Sequence, residues 1–154
     1  MINLHIKQTK ISEVLYTQPT DFFQQHYFKD HSALLTGKGL ADISRYSFIG
    51  ISPHTIISYD DKFIIRDEDK VVEYESDFWK FQHRILASTQ YHQQAYPANL
   101  CGGIGFYSYD VLHEIENIPI QENNYEMPKF KIVFYNEYFV FDNLDKKVWK
   151  IEFE

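Results

Sequence analysis

The segment from Phe130 to Phe141 constrains the fold more than any other part of the sequence. It reads F-K-I-V-F-Y-N-E-Y-F-V-F, so apolar and aromatic residues are nearly continuous along it. A strand with one face in water alternates polar and apolar residues, so this run predicts a central strand that is buried on both faces. The turn sequence D-N-L-D-K-K and the segment V-W-K-I-E-F come next, and they predict a hairpin back onto that strand.

Composition and spacing predict that most of the remaining chain is also β-sheet. Phe, Tyr and Trp make up 18% of the residues, and such rings suit half-buried pleated surfaces. Short β-branched and aromatic runs alternate with turn sequences such as D-D-K, which predicts an antiparallel meander. The predicted strands are Leu4–Ile6, Ser32–Leu35, Arg45–Ile51, Thr55–Tyr59, Phe63–Arg66 and Val71–Tyr74, with a glycine-rich strand or strand edge within Cys101–Asp110.

Short helices are predicted beside the sheet. A helix begins at Pro19 and places Phe22, Phe23 and Tyr27 on one face. A second helix is capped by Asp77 and runs to about Ser88, and one or two further helical turns precede Pro119. The apolar side of the second helix consists of Phe78, Phe81, Ile85 and Leu86. The expected fold class is α+β, with mainly antiparallel sheets packed as a sandwich and a few short flanking helices.

Size, charge and cysteine content exclude several classes of protein. Residues 1–154 match the usual size of one domain, and we expect a single domain. The net charge of −7 and the scattered basic residues argue against nucleic-acid binding. Cys101 is the only cysteine, which excludes an internal disulfide framework and suits a reducing compartment. The N-terminus lacks a signal-peptide core and no run is apolar enough to span a membrane, so the sequence predicts a cytoplasmic protein.

Motifs for catalysis are absent from the sequence. The T-G-K-G at Thr36–Gly39 lacks the upstream glycine of a P-loop, and G-G-I-G lacks the register of a dinucleotide site. The seven histidines form no zinc-binding pattern, and the paired carboxylates occupy predicted turns. We therefore predict no catalytic residue, no metal ligand and no cofactor in this chain.

Four sequence blocks in order resemble one known family. They are A-L-L-T-G at 33–37, S-R-Y-S-F-I-G-I-S-P at 44–53, G-G-I-G-F-Y-S-Y-D with E-N-I-P within 102–119, and M-P-K-F-K-I-V-F-Y-N-E-Y-F-V-F-D at 127–142. Together they resemble the N-terminal region of component I of anthranilate synthase and of para-aminobenzoate (aminodeoxychorismate) synthase, over nearly the whole chain. The sequence also stops within a predicted strand, which we expect of a piece of a longer protein.

The resemblance implies a non-catalytic scaffold with a pocket for an aromatic ligand. In this family a C-terminal domain binds chorismate and magnesium and carries out the reaction, and a glutamine amidotransferase subunit supplies ammonia. The chorismate-site motifs are absent here, so magnesium is expected only in the missing domain. The expected partners are that C-terminal domain, the amidotransferase subunit and tryptophan, with neither nucleic acid nor membrane.

The resemblance also implies a set of site residues. In many members the N-terminal region holds tryptophan, and Gly37 stands where a serine is usual. Arg45 is expected either to hold a carboxylate of a ligand or partner domain, or to form a structural ion pair. Gly102, Gly105, Tyr109 and Asp110 match a structural motif at a sheet-to-helix turn. The residues carried over as ligand-binding are Leu34, Leu35, Thr36, Gly37, Arg45, Tyr46 and Phe48.

Within the family, three features favour aminodeoxychorismate synthase, an enzyme of folate biosynthesis. They are Ser44 directly before Arg45, the short loop between Leu35 and Arg45, and the missing serine at Gly37. Anthranilate synthase, the enzyme of tryptophan biosynthesis, stays open as an alternative. A stand-alone aromatic amino-acid-binding module and a purely structural domain also stay open.

Overall fold

The computed structural model describes residues 8–37, 44–67, 70–88, 103–119 and 126–153. Two α-helices, α1 (Pro19–Gln24) and α2 (Phe78–Ser88), accompany the strands, and a 3₁₀ helix covers Tyr109–Glu114. The strands are β1 (Gln8–Val14), β2 (Ala33–Leu35), β3 (Tyr46–Tyr59), β4 (Phe63–Asp67), β5 (Lys70–Tyr74), β6 (Gly103–Tyr107), β7 (Phe130–Asp142) and β8 (Lys147–Phe153).

The eight described strands lie in one antiparallel sheet. Its order is β1-β8-β7-β3-β4-β5, while β2 also pairs with β3 and β6 also pairs with β7. The two long strands β3 and β7 therefore form the middle, and shorter strands flank each of them. This confirms the Phe130–Phe141 run as the central strand and the hairpin that follows it. The α+β class is confirmed as well, but the expected sandwich is not, because the described strands belong to a single sheet.

The middle strand β3 was predicted as two strands, and this prediction is wrong. Tyr46–Tyr59 is one strand that pairs with β7 along its whole length, and the register shifts between Pro53 and Thr55. A proline has no backbone N–H to donate, so a bulge lets the ladder pass it without ending the strand. Ser52, directly before the proline, has a φ of 60°, which marks the local distortion.

Most other strand boundaries agree with the sequence to within one residue, and the first strand is the exception. The predicted strand Leu4–Ile6 lies outside the described residues. Instead, β1 covers Gln8–Val14 and pairs with β8, with Ile11 opposite Ile151. The sequence Q-T-K-I-S-E-V has too few apolar residues to stand out as a strand. It becomes one because β8 offers it an unpaired edge.

The helix α2 forms as predicted. The backbone N–H of Lys80 donates to Oδ1 of Asp77 at 2.9 Å, which is the expected N-cap. The predicted apolar residues Phe78, Phe81 and Ile85 are buried. The first helix differs from the prediction, because α1 ends at Gln24 and Tyr27 is 68% exposed instead of packed beside Phe22 and Phe23.

The two helices cover opposite faces of the sheet. Phe78 and Phe81 of α2 pack on Phe63, with ring centroids 5.9 Å and 3.8 Å from it, in a cluster that also contains Tyr138 and Val140. The second cluster contains Phe139 and Phe141, and α1 packs against it. Since neighbouring residues of a strand point to opposite faces, Tyr138 and Val140 lie on one face of β7, and Phe139 and Phe141 lie on the other.

Candidate ligand site at the β2–β3 junction

The pairing of β2 with β3 brings the two predicted ligand-binding segments together. Leu34 lies opposite Ile49, and Leu35 lies opposite Phe48. Arg45 directly precedes β3, and Tyr46 begins it opposite Asp142 of β7. The segments 34–37 and 45–48 are therefore neighbours at one end of the sheet.

The same pairing sends the predicted residues to two faces of the sheet. Leu34 packs with the cluster under α1, which contains Ile49. Phe48 points to the other face, where its ring stacks on Tyr138 with centroids 6.0 Å apart. Leu35 shares the face of Phe48 and is half exposed. Leu35, Tyr46 and Phe48 therefore share one face of the sheet, and Leu34 lies on the other, a division that the sequence order does not reveal.

A polar chain of hydrogen bonds joins the junction to the β7–β8 turn. Thr36 Oγ1 lies 3.1 Å from Ser47 Oγ, and Ser47 Oγ accepts a hydrogen bond of 2.8 Å from Asn143 Nδ2. Ser47 is fully buried, so these partners replace the water it would otherwise bind. Sequence reasoning missed Ser47 and Asn143. The only sequence signal for Ser47 is a polar residue within a buried strand.

At position 37 the neighbouring loop leaves no room for a side chain. A Cβ built on Gly37 would lie 2.5 Å from Cβ of Ser44. A serine at position 37 would therefore displace Ser44 or the chain that carries it.

Arg45 forms an ion pair with carboxylates of its own chain. Its Nε and Nη2 donate to Oδ2 of Asp142 at 2.9 Å and 2.6 Å, and Nη2 also donates to Asp145 at 2.6 Å. The guanidinium carbon lies 5.2 Å from the ring centre of Tyr46, which adds a cation–π contact. Of the two roles that the sequence left open for Arg45, this is the structural ion pair. The sequence did not identify Asp142 as the partner.

Asp142 is the buried member of this ion pair. Its side chain is 1% exposed, and Oδ1 accepts from the backbone N–H groups of Leu144 and Asp145 at 3.0 Å. Burial alone raises the pKa of Asp142, but the hydrogen bonds from Arg45 and from these two backbone groups outweigh burial, so its pKa lies below the ordinary value. The hydrogen bond with Asp142 raises the pKa of Arg45 above its ordinary value.

The third sequence block lies at the other end of β7. Gly105 pairs with Ile132, and a Cβ at Gly105 would lie 2.2 Å from the carbonyl oxygen of Lys131. Tyr109 begins the 3₁₀ helix and is 86% exposed, and Asp110 follows it in the same helix. Gly102 lies outside the described residues. The described part of this block forms β6 and the turn into the 3₁₀ helix. It pairs with the end of β7 that is remote from Asp142 and Arg45.

The described residues contain no group of three His, Cys, Asp or Glu side chains placed to hold a metal ion. Neither described α-helix has the length and apolar character needed to cross a membrane.

Comparison with known proteins relates the chain to one enzyme subunit. No family model matches the sequence. It is 27% identical over 128 residues to anthranilate synthase alpha subunit 1 of Arabidopsis thaliana, covering 75% of this chain and 22% of that protein. It is 28% identical over 144 residues to anthranilate synthase alpha subunit 2 of rice (Oryza sativa subsp. japonica), covering 86% of this chain and 24% of that protein. The chain thus spans less than a quarter of the length of these curated relatives.

A solved structure of anthranilate synthase component I from Streptococcus pneumoniae overlaps 91% of this chain and 31% of that one. The TM-score is 0.49 and the sequence identity is 19%. The sequence relatives are sufficient to confirm the resemblance carried by the four blocks. The chain is therefore similar in sequence, over most of its length, to part of the anthranilate synthase alpha subunits.

Proposed function

We propose that this chain is the N-terminal, non-catalytic part of a component I subunit of the anthranilate synthase type. The observation that carries this proposal is the sequence similarity to anthranilate synthase subunits over most of this chain but less than a quarter of theirs. The subunit as a whole would convert chorismate and glutamine-derived ammonia to anthranilate. The remaining part of the subunit would hold chorismate and magnesium and carry out the chemistry.

Within the subunit, the sheet serves as a scaffold. The pairing of Arg45 with Asp142 supports this role, because it fixes the start of β3 to the β7–β8 turn across the sheet. The carboxylates of the chain itself already neutralise this cation. The partners of the scaffold would be the catalytic part of the same subunit and a glutamine amidotransferase subunit.

The β2–β3 junction would also hold an aromatic ligand, with tryptophan as the first candidate. The half-exposed Leu35 and the ring of Phe48 share one face there, and Tyr46 lies two residues from Phe48 on the same strand. Rings and aliphatic side chains of this kind bind an indole through apolar contact. In this proposal Arg45 orders the start of β3 and does not contact the ligand carboxylate.

Component I of an aminodeoxychorismate synthase is a second candidate. The observation that favours it is local: Ser44 lies against Gly37 in the space that a serine side chain at position 37 would need. The absence of that serine is one of the three sequence features that favour this enzyme. The identity of the relatives favours the anthranilate enzyme instead.

The test is the reaction of the full polypeptide that the gene of this chain encodes. The purified protein is incubated with chorismate, Mg²⁺ and ammonium ions, and the products are separated by chromatography and identified by mass. We expect chorismate to be consumed and anthranilate to form. Formation of 4-amino-4-deoxychorismate would support the second candidate, and a protein that leaves chorismate unchanged would contradict both.

A further inference from the structure

A cavity of about 140 Å³ lies between α2 and the sheet, away from the β2–β3 junction. In the sheet, Gly105 pairs with Ile132 and Tyr107 pairs with Phe130. These pairs lie at the Phe130 end of β7. Asp142, the partner of Arg45, lies at the other end of the same strand. The described lining residues are Gln82, Ile85, Gly105, Tyr107, Phe130 and Ile132.

The strand pairing prevents β6 from filling this cavity. Gly105 contributes no side chain, and a Cβ there would lie 2.2 Å from the carbonyl oxygen of Lys131. Contact with a backbone atom at that distance cannot be relieved by a side-chain rotation, so no larger residue fits without a shift of β6. At position 105, therefore, β6 contributes backbone and no side chain to the wall of the cavity.

Gln82 gives the cavity wall an unpaired polar group. Gln82 is only 8% exposed, and its Oε1 accepts a hydrogen bond of 3.1 Å from the hydroxyl of Tyr107. Its Nε2 is buried and has no hydrogen-bond partner among the residues that the structure describes. Buried polar groups in proteins are nearly always paired, and an unpaired N–H is unfavourable. A ligand that supplies an oxygen acceptor would therefore gain more here than on the protein surface.

The size and charge of the cavity define the class of ligand. An apolar protein cavity of about 150 Å³ binds benzene, so the volume found here fits a single six-membered ring. The rings of Phe130 and Tyr107 lie 5.1 Å apart in the wall, where they offer aromatic surface. The six described lining residues carry no formal charge, which disfavours an ionised ligand.

We propose that this cavity binds a neutral, monocyclic aromatic molecule with one oxygen substituent, such as a phenol. The ring occupies the space beside Gly105, between Ile85 and Ile132. The oxygen accepts a hydrogen bond from Nε2 of Gln82, while Oε1 of Gln82 keeps the hydrogen bond from Tyr107. The site is separate from the β2–β3 junction, and the proposal does not depend on the proposed function.

The test compares phenol with toluene, which has the same ring and nearly the same size but no oxygen. Their affinities for the whole chain are measured by ligand-observed NMR titration. We expect both to bind and phenol to bind about fivefold more tightly, the ratio that one buried hydrogen bond gives. In Gln82→Leu the preference for phenol should disappear, while toluene should bind as before.

Two controls locate the effect. Gln24→Leu makes the same change on the exposed surface of α1 and should preserve the phenol preference. In the unmodified chain, phenol should shift the side-chain amide resonance of Gln82 in a ¹⁵N–¹H spectrum, and toluene should shift it much less. This second measurement does not require the Gln82→Leu variant to fold.

Three results would overturn the proposal. They are the absence of saturable phenol binding, equal affinities of phenol and toluene for the unmodified chain, and a phenol preference that survives in Gln82→Leu. A phenol titration that leaves the Gln82 amide resonance unmoved would also contradict the assigned hydrogen bond.

Discussion

At the scale of a single residue, the sequence predicted that Arg45 needs a negatively charged partner, but it did not identify that partner. A cation within the run S-R-Y-S-F-I-G signals that a negative partner lies nearby, because an unpaired buried charge is unfavourable. The partner Asp142 is remote in sequence and becomes a neighbour only when β3 pairs with β7. The need for an ion pair was thus readable from the sequence, whereas the identity of its second member depends on the strand register.

The same limit applies to the other predicted site residues. Ser47 and Asn143 complete the hydrogen bonds around Thr36. Both lie in segments that the sequence singled out, but neither was predicted as a site residue. The space at Gly37 is limited by Ser44, a contact across a loop. These contacts depend on the strand register and on the backbone path near Gly37 and Ser44. Neither can be predicted from the sequence pattern.

The Asp142→Asn substitution tests the buried ion pair. The variant loses the negative charge and turns an amide toward Arg45, so we expect about 2 kcal/mol lower free energy of unfolding near neutral pH. The pKa of Asp142 is lowered by folding, so its contribution is present above the ordinary carboxyl pKa of about 4 and is lost as the pH falls through the lower folded value. The difference between the two proteins should therefore shrink below about pH 4 in urea denaturation.

Asp145→Asn is the matched control for this experiment. Asp145 contacts the same guanidinium, but its side chain is 55% exposed, so its removal should cost much less stability. Equal losses for the two variants, or a loss in Asp142→Asn that does not depend on pH, would contradict the account of Asp142.

At the scale of secondary-structure elements, the sequence predicted best those segments whose local signals agree with their surroundings. The helix α2 has an N-cap and a periodic apolar side, and the β7–β8 hairpin has long apolar runs around a polar turn. The strand β1 was missed because its pairing with β8 outweighs its weak local signal. The strand β3 was divided in two because a proline inside a strand usually marks an end, whereas here a bulge accommodates it.

The cap of α2 gives a prediction for one element. In Asp77→Ala the backbone N–H of Lys80 loses its acceptor, so the free energy of unfolding should fall by about 1 kcal/mol. Thermal unfolding followed by circular dichroism measures the change. Asp30→Ala removes an exposed aspartate between α1 and β2 and should leave the stability nearly unchanged. Stability losses of similar size in both variants would refute the specific role of the cap.

The β2–β3 junction gives a second prediction at this scale. If Phe48 and Leu35 contact an aromatic ligand, tryptophan should bind to the chain saturably in a calorimetric titration, and Phe48→Ala should weaken binding about tenfold or more. Leu35→Ala provides a milder change at a half-exposed position. Phe28→Ala alters an exposed phenylalanine elsewhere and should have no effect. If the unmodified chain does not bind tryptophan, the junction is not a tryptophan site.

At the scale of the whole molecule, the sequence predicted a mainly antiparallel sheet with short helices but not its layering. Aromatic content and alternation indicate strands, and they do not say whether those strands form one sheet or two. The answer depends on β3 and β7, each long enough to pair with two shorter strands on its outer edge. One continuous sheet with a helix on each face is the result in the described part of the chain.

The proposed function makes this sheet a non-catalytic part of a chorismate-using subunit. The most direct measurement mixes the purified chain with the separately expressed remainder of its own subunit, and follows anthranilate fluorescence in the presence of chorismate, Mg²⁺ and ammonium ions. We predict no anthranilate from the chain alone, little from the remainder alone, and restored formation when the two are combined. Anthranilate formation by the chain alone, or a remainder whose activity is unchanged by adding the chain, would contradict the claim.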